Sequence, residues 1–120
     1  MDRIFEIAEL AKKKGCILNE FHPDVMELID WLCKKNIVVA VNYNYECDDT
    51  SFEYKIWQLN EKEFGRPIRQ PYYGYAYDKE ICTKKIVGYR DYILSYKAYK
   101  TYEDALYDGL IEALKMLENV

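Results

Sequence analysis

Over residues 101–118 the apolar and small positions recur at steps of three and four: Tyr102, Ala105, Leu106, Gly109, Leu110, Ala113, Leu114 and Leu117. That period puts them on one face of a helix, with Glu103, Asp104, Asp108, Glu112, Lys115 and Glu118 on the other side. Thr101 is suited to cap the start, and Asp104 stands three residues on in a capping-box-like position. Acids in the first turn also complement the helix dipole. Within the buried face, Ala105, Gly109 and Ala113 make a ridge of small residues. A glycine inside a helix costs about 1 kcal/mol against alanine, so the pattern predicts a close approach, most naturally to a flat sheet.

Earlier in the chain the helical period appears twice more. Ile4, Ile7, Ala8 and Ala11 line a first helix over residues 3–14, widened by Phe5 and Leu10 and started by Asp2. Lys12-Lys13-Lys14-Gly15 closes it with cations and a glycine. Pro23 opens a second helix over residues 23–35, with Val25, Leu28, Ile29 and Leu32 inward and Trp31 off the stripe. Asn36 ends it, being able to take the left-handed conformation.

The period then changes to two. Ile37, Val39, Val41, Tyr43 and Tyr45 alternate with Val38, Ala40, Asn42 and Asn44. An acidic loop over residues 46–51 leads to a strand over 52–59, with Phe52, Tyr54 and Ile56 on one side and Glu53, Lys55 and Trp57 on the other. Residues 60–71 read as a polar excursion. Tyr72-Tyr73-Gly74-Tyr75-Ala76-Tyr77 alternates like a strand and can pair with residues 81–87 across a turn at 78–80. Tyr92 to Tyr99 reads as the last strand. The expected fold is therefore α+β: an antiparallel sheet of three to five strands with helices packed on one face, in the order α-α-β-β-(loop/hairpin)-β-α.

At 120 residues the chain fits one domain, residues 1–120, able to bury a core without disulfides or a metal. Charge changes this picture more than size does. Residues 62–100 carry nine Lys or Arg against four acids, a net of +5, whereas the rest carries eight against seventeen, a net of −9. A basic, tyrosine-rich insertion over residues 60–91 is thus set into an acidic body. Thirteen tyrosines against four phenylalanines point to contact surfaces that stay wet. The four cysteines, at 16, 33, 47 and 82, have no C-x-x-C spacing. They are expected to be reduced thiols serving as small core residues in a cytoplasmic protein. The charged start and the lack of any apolar run of spanning length argue against a signal peptide and a membrane.

Leu28-Ile29-Asp30-Trp31-Leu32-Cys33-Lys34-Lys35-Asn36 running directly into Ile37 to Val41, the strand Tyr54-Lys55-Ile56-Trp57, and the closing Thr101-Tyr102-Glu103-Asp104-Ala105-Leu106 through Lys115 together carry a resemblance. The chain resembles a group of small uncharacterised proteins carried by phages and other mobile elements of gut bacteria. The similarity covers about half the chain and is strongest at its end. It brings no catalytic residues. It implies a host-cell cytoplasmic setting and an anti-defence role, in some such proteins by sequestering nucleotide-derived immune signals. The region that departs from the group lies between Trp57 and Tyr92. The order of elements also resembles a double-stranded-RNA-binding domain, but that module meets phosphates with lysines where this chain has Glu103 and Asp104.

Candidate chemistry is sparse. His22, the one histidine, precedes Pro23 without a local nucleophile, so a turn or capping role fits it best. Glu46, Asp48 and Asp49 lack the ligand series of a calcium loop. Phosphate-loop, dinucleotide and zinc-protease motifs are missing. No catalytic residue, cofactor or metal is expected. The constellation that carries a function is Arg66, Arg69, Tyr72, Tyr73, Tyr75 and Tyr77, with Lys84, Lys85 and Arg90 downstream. Guanidinium forks suit phosphate oxygens and tyrosine rings offer faces for a base. The plain alternative is that the tyrosines pack on a sheet while the cations stay solvated. The expected function is non-enzymatic binding of a small anionic nucleotide through this insertion. The alternative is a protein-interaction module, an inhibitor of a host protein or a former of homo-oligomers; a nucleotide hydrolase is a third reading. Extended nucleic acid is disfavoured by the acidic remainder.

Overall fold

In a computed structural model the described residues are 3–44, 51–58, 70–78, 81–90, 92–95 and 97–120. The elements run α1 (Arg3–Lys13), α2 (Val25–Lys34), β1 (Ile37–Asn44), β2 (Ser51–Gln58), β3 (Gln70–Asp78), β4 (Ile81–Arg90), β5 (Tyr92–Leu94) and α3 (Tyr102–Lys115). The fold is α+β, as the periodicity implies. The strands form two sheets, a three-stranded one in the order β1-β2-β5 and the two-stranded ribbon β3-β4, all antiparallel.

Each helix end has a local cause. Gly15 sits at φ 101° after α1, its N–H donating to the Lys12 carbonyl while the Cys16 N–H donates to that of Ala11. These two bonds are the 5→2 and 6→1 pair of a Schellman stop. Asn36 ends α2 at φ 63°, the left-handed position its short polar side chain tolerates. Thr101 caps α3, its hydroxyl accepting from the Asp104 N–H at 3.1 Å. α2 starts at Val25, two residues later than Pro23, because Asp24 takes the capping position, its carboxylate accepting from the Met26 N–H and satisfying an orphan donor.

The core lies between α3 and the sheet. Ile7, Leu28, Leu32, Ile37, Ile56, Leu110 and Leu114 are its largest fully buried side chains. Gly109 faces the sheet so closely that a Cβ there would stand 3.0 Å from Tyr54 Cβ and 3.1 Å from Val39 Cγ1. The small-residue ridge thus lets a helix backbone lie almost on the strands. The inner sheet face carries Val39, Tyr54 and Ile56, all buried, and alternation puts Lys55 and Trp57 on the opposite face.

The last strand is shorter than the apolar pattern suggests. β5 pairs with β2 only over Tyr92–Leu94, and Tyr99 returns to β2 as a single bridge to Phe52. Between them the Ser95 hydroxyl accepts from the Tyr54 N–H at 3.3 Å, replacing a ladder bond by a side-chain bond. The thiols also divide: Cys16 is buried as expected, whereas Cys33 is exposed, because it lies outside the Leu28–Leu32 stripe of α2.

Candidate functional site

The ribbon is where the candidate residues gather. Its register sets Tyr73 opposite Ile86, Tyr75 opposite Lys84 and Tyr77 opposite Cys82, while Gly74 pairs with Lys85 and Gln70 with Arg90. The register shifts at an irregularity between Tyr72 and Tyr73. Arg66 and Arg69, and the acids Glu46, Asp48 and Asp49, lie outside the described residues.

At the root of the ribbon the fold adds residues that local sequence reasoning passed over. Arg90 closes β4 and Tyr92 opens β5, so their Cα atoms are at most about 7 Å apart along the chain. Tyr92 pairs in register with Trp57. Their rings lie 5.5 Å apart at 43°, and the Lys55 ammonium stands 5.1 Å over the Tyr92 ring. This assembly occupies the sheet face away from α3, and β3 approaches β5 beside it. Two aromatic plates and a lysine offer ring faces and a positive charge of the kind that suits a base bearing a phosphate. Alternation in β2 was enough to put Lys55 and Trp57 on one side; pairing with a strand 35 residues later was not readable from any local pattern.

A second charged assembly has a different character. Arg3 donates to Asp108 Oδ1, Tyr99 Oη donates to Asp108 Oδ2 at 2.7 Å, and Lys97 Nζ lies 4.0 Å from the same oxygen. Burial pushes the Asp108 carboxyl up, but the hydrogen bonds from Tyr99 and Arg3 and the charges of Arg3 and Lys97 outweigh it. The net effect holds the group below its usual value. Both oxygens are engaged and the ionised form is favoured, so Asp108 is a poor proton acceptor. It ties α1, the segment after β5 and α3 together.

His22 has its backbone N–H bonded to the Asn19 carboxamide, which also accepts from Phe21, so the segment before α2 is a side-chain-capped turn. Among the described residues no group of three His, Cys, Asp or Glu is placed to hold a metal ion. No helix among them is long and apolar enough to cross a membrane. Comparison with protein-family models, with curated proteins and with solved structures finds no match.

Proposed function

We propose that this chain is a non-enzymatic binding protein that sequesters a small nucleotide-derived anion where the ribbon leaves the sheet. The observation that carries the reading is the Trp57–Tyr92–Lys55 assembly, two residues along the chain from Arg90 and on the sheet face opposite α3. The rings supply stacking area and the two cations supply charge for phosphate oxygens. Along the ribbon, Tyr75 stands in register with Lys84, between Tyr73 and Tyr77. A two-stranded sheet is marginal by itself in water, so contact with a ligand adds support where the fold has least. A sequestering role in phage-type anti-defence, in a bacterial host cytoplasm, follows from the resemblance of the helices and first strands.

The test is thermal unfolding with mononucleotides, dinucleotides and cyclic dinucleotides, together with tryptophan emission in a Trp31→Phe background that leaves Trp57 as the reporter. A ligand at a hundred times its Kd stabilises by about 2.7 kcal/mol, a rise of several degrees. Lys55→Ala and Arg90→Ala are expected to shrink that rise, and Arg66→Ala with Arg69→Ala to shrink it further. Product analysis is expected to return the nucleotide intact. Unchanged melting and unchanged Trp57 emission across the panel would remove the basis for this reading.

A further inference from the structure

The outer side of α1 and the segment after it expose apolar side chains that a folded chain ordinarily covers. Ile17 is 80% exposed and Phe21 77%, and Phe5 is exposed as well. Phe5, Leu10 and Ile17 line a groove of about 500 Å³ between α1 and the segment that follows. Four charged residues of α1 border it: Glu6 and Glu9 in the first half, Lys12 and Lys13 at the end. All four are exposed, and no ion pair among the described residues engages them.

The order of these charges selects a partner. Positions 5, 9 and 12 follow one another at helical steps on the side away from buried Ile7 and Ala11, with 6 and 13 flanking them. Two copies of this helix packed antiparallel about a two-fold axis set acids against lysines at both ends. Glu6 opposite Lys13 centres the axis between positions 9 and 10, and Glu9 opposite Lys12 centres it between 10 and 11. The two solutions differ by a slide of two residues, about 3 Å of rise, which long side chains absorb. The same arrangement brings Phe5 of one copy toward Ile17 of the other. A parallel arrangement would set like charge on like. Self-complementarity of one patch is what a closed two-fold dimer requires.

We infer that this face is the interface between two copies of the chain, with the α1 helices antiparallel and the groove of each filled by the other. Glu6 and Glu9 meet Lys12 and Lys13 twice, once on each side of the axis, and Phe5 of each copy meets Ile17 of the other in an apolar contact outside these charge pairs. The interface lies apart from the ribbon root and does not depend on any ligand there.

Sedimentation velocity across micromolar to near-millimolar protein tests it. The expected result is a monomer–dimer equilibrium moving toward dimer with concentration. Ile17→Asp, in an exposed position outside the helices, is expected to raise the dimer Kd roughly tenfold or more by placing a charge in both apolar contacts with Phe5. Glu6→Lys with Glu9→Lys sets cations against cations and is expected to weaken the dimer comparably. Adding Lys12→Glu and Lys13→Glu restores the opposition and is expected to recover it. Circular dichroism of each variant reports that α1 is still folded. A chain that stays monomeric throughout overturns the inference. So does a dimer indifferent to Ile17→Asp, or a full charge exchange that fails to recover what the half exchange lost.

Discussion

Gly109→Ala is the substitution that tests most directly how closely α3 lies on the sheet. In an open helix the change is favourable by about 0.8–1 kcal/mol, because alanine loses less backbone freedom. Here the new methyl would stand 3.0 Å from both Cβ and Cγ of Tyr54 and 3.1 Å from Val39 Cγ1. Ordinary carbon contacts are about 3.5–4.0 Å, so several atoms must give by roughly half an ångström together. Tyr54 Cβ hangs directly on a strand that is paired on both sides, and Tyr54 is only 4% exposed. The helix must therefore lift, which loosens Ala105 and Ala113 on the same ridge. Overpacking of this kind costs about 1–3 kcal/mol. Set against the propensity gain, the expected net is a loss of about 1 kcal/mol, read by denaturant unfolding at fixed m-value. In a thermal scan it is a fall of about 3–6 °C. A double-mutant cycle separates crowding from propensity. Val39→Ala removes one of the crowded methyls, so its own cost should be smaller in the Gly109→Ala background than in the parent by about 1 kcal/mol. A Gly109→Ala protein as stable as the parent, with additive costs in the cycle, would refute the reasoning. The spacing of helix and sheet would then have some other cause.

Three further outcomes are expected. Asp108→Asn should lower stability at neutral pH by about 1–2 kcal/mol, since charge-assisted bonds to a partly exposed carboxylate are lost. The folded state depresses the Asp108 pKa, so its contribution is present above the unfolded carboxylate pKa and disappears as pH falls through the lower folded value. Unfolding free energy followed downward from pH 7 should converge for parent and variant in acid. Gly15→Ala should cost about 1–2 kcal/mol, because φ 101° is unfavourable for any residue with a Cβ and Val120 Cγ1 lies 3.3 Å from where it would stand; equal stability by urea titration would count against the Schellman stop. Cys33 should alkylate well before Cys16 under native conditions, since burial, reinforced by the Glu27 charge, pushes the Cys16 thiol up. Peptide mapping after brief iodoacetamide treatment reads the ratio, and equal labelling would contradict it.

Much of the architecture was legible because its causes are local. A cap acts over three residues, as Thr101 does on Asp104, and a helix stop over five, as from Ala11 to Cys16. The ribbon between β3 and β4 was readable for the same reason, its strands being only two residues apart in the chain. Even Gly109 announced a close approach, since a costly residue on an apolar ridge needs a compensating contact. The candidate site was legible only as composition, an excess of cations and tyrosines over residues 60–91.

What the sequence by itself determined is thus the set of helices and hairpins, their buried faces, and an asymmetry of charge. Tertiary structure alone decided that Trp57 meets Tyr92, that Arg3 reaches Asp108, and that the ribbon forms a sheet separate from β1-β2-β5. It also decided that the register between β3 and β4 shifts at Tyr72 and Tyr73. The physical reason is range. Dihedral preference, capping and periodicity act over a few residues. Pairing between strands far apart in the chain depends on which surfaces remain uncovered once the local elements have packed.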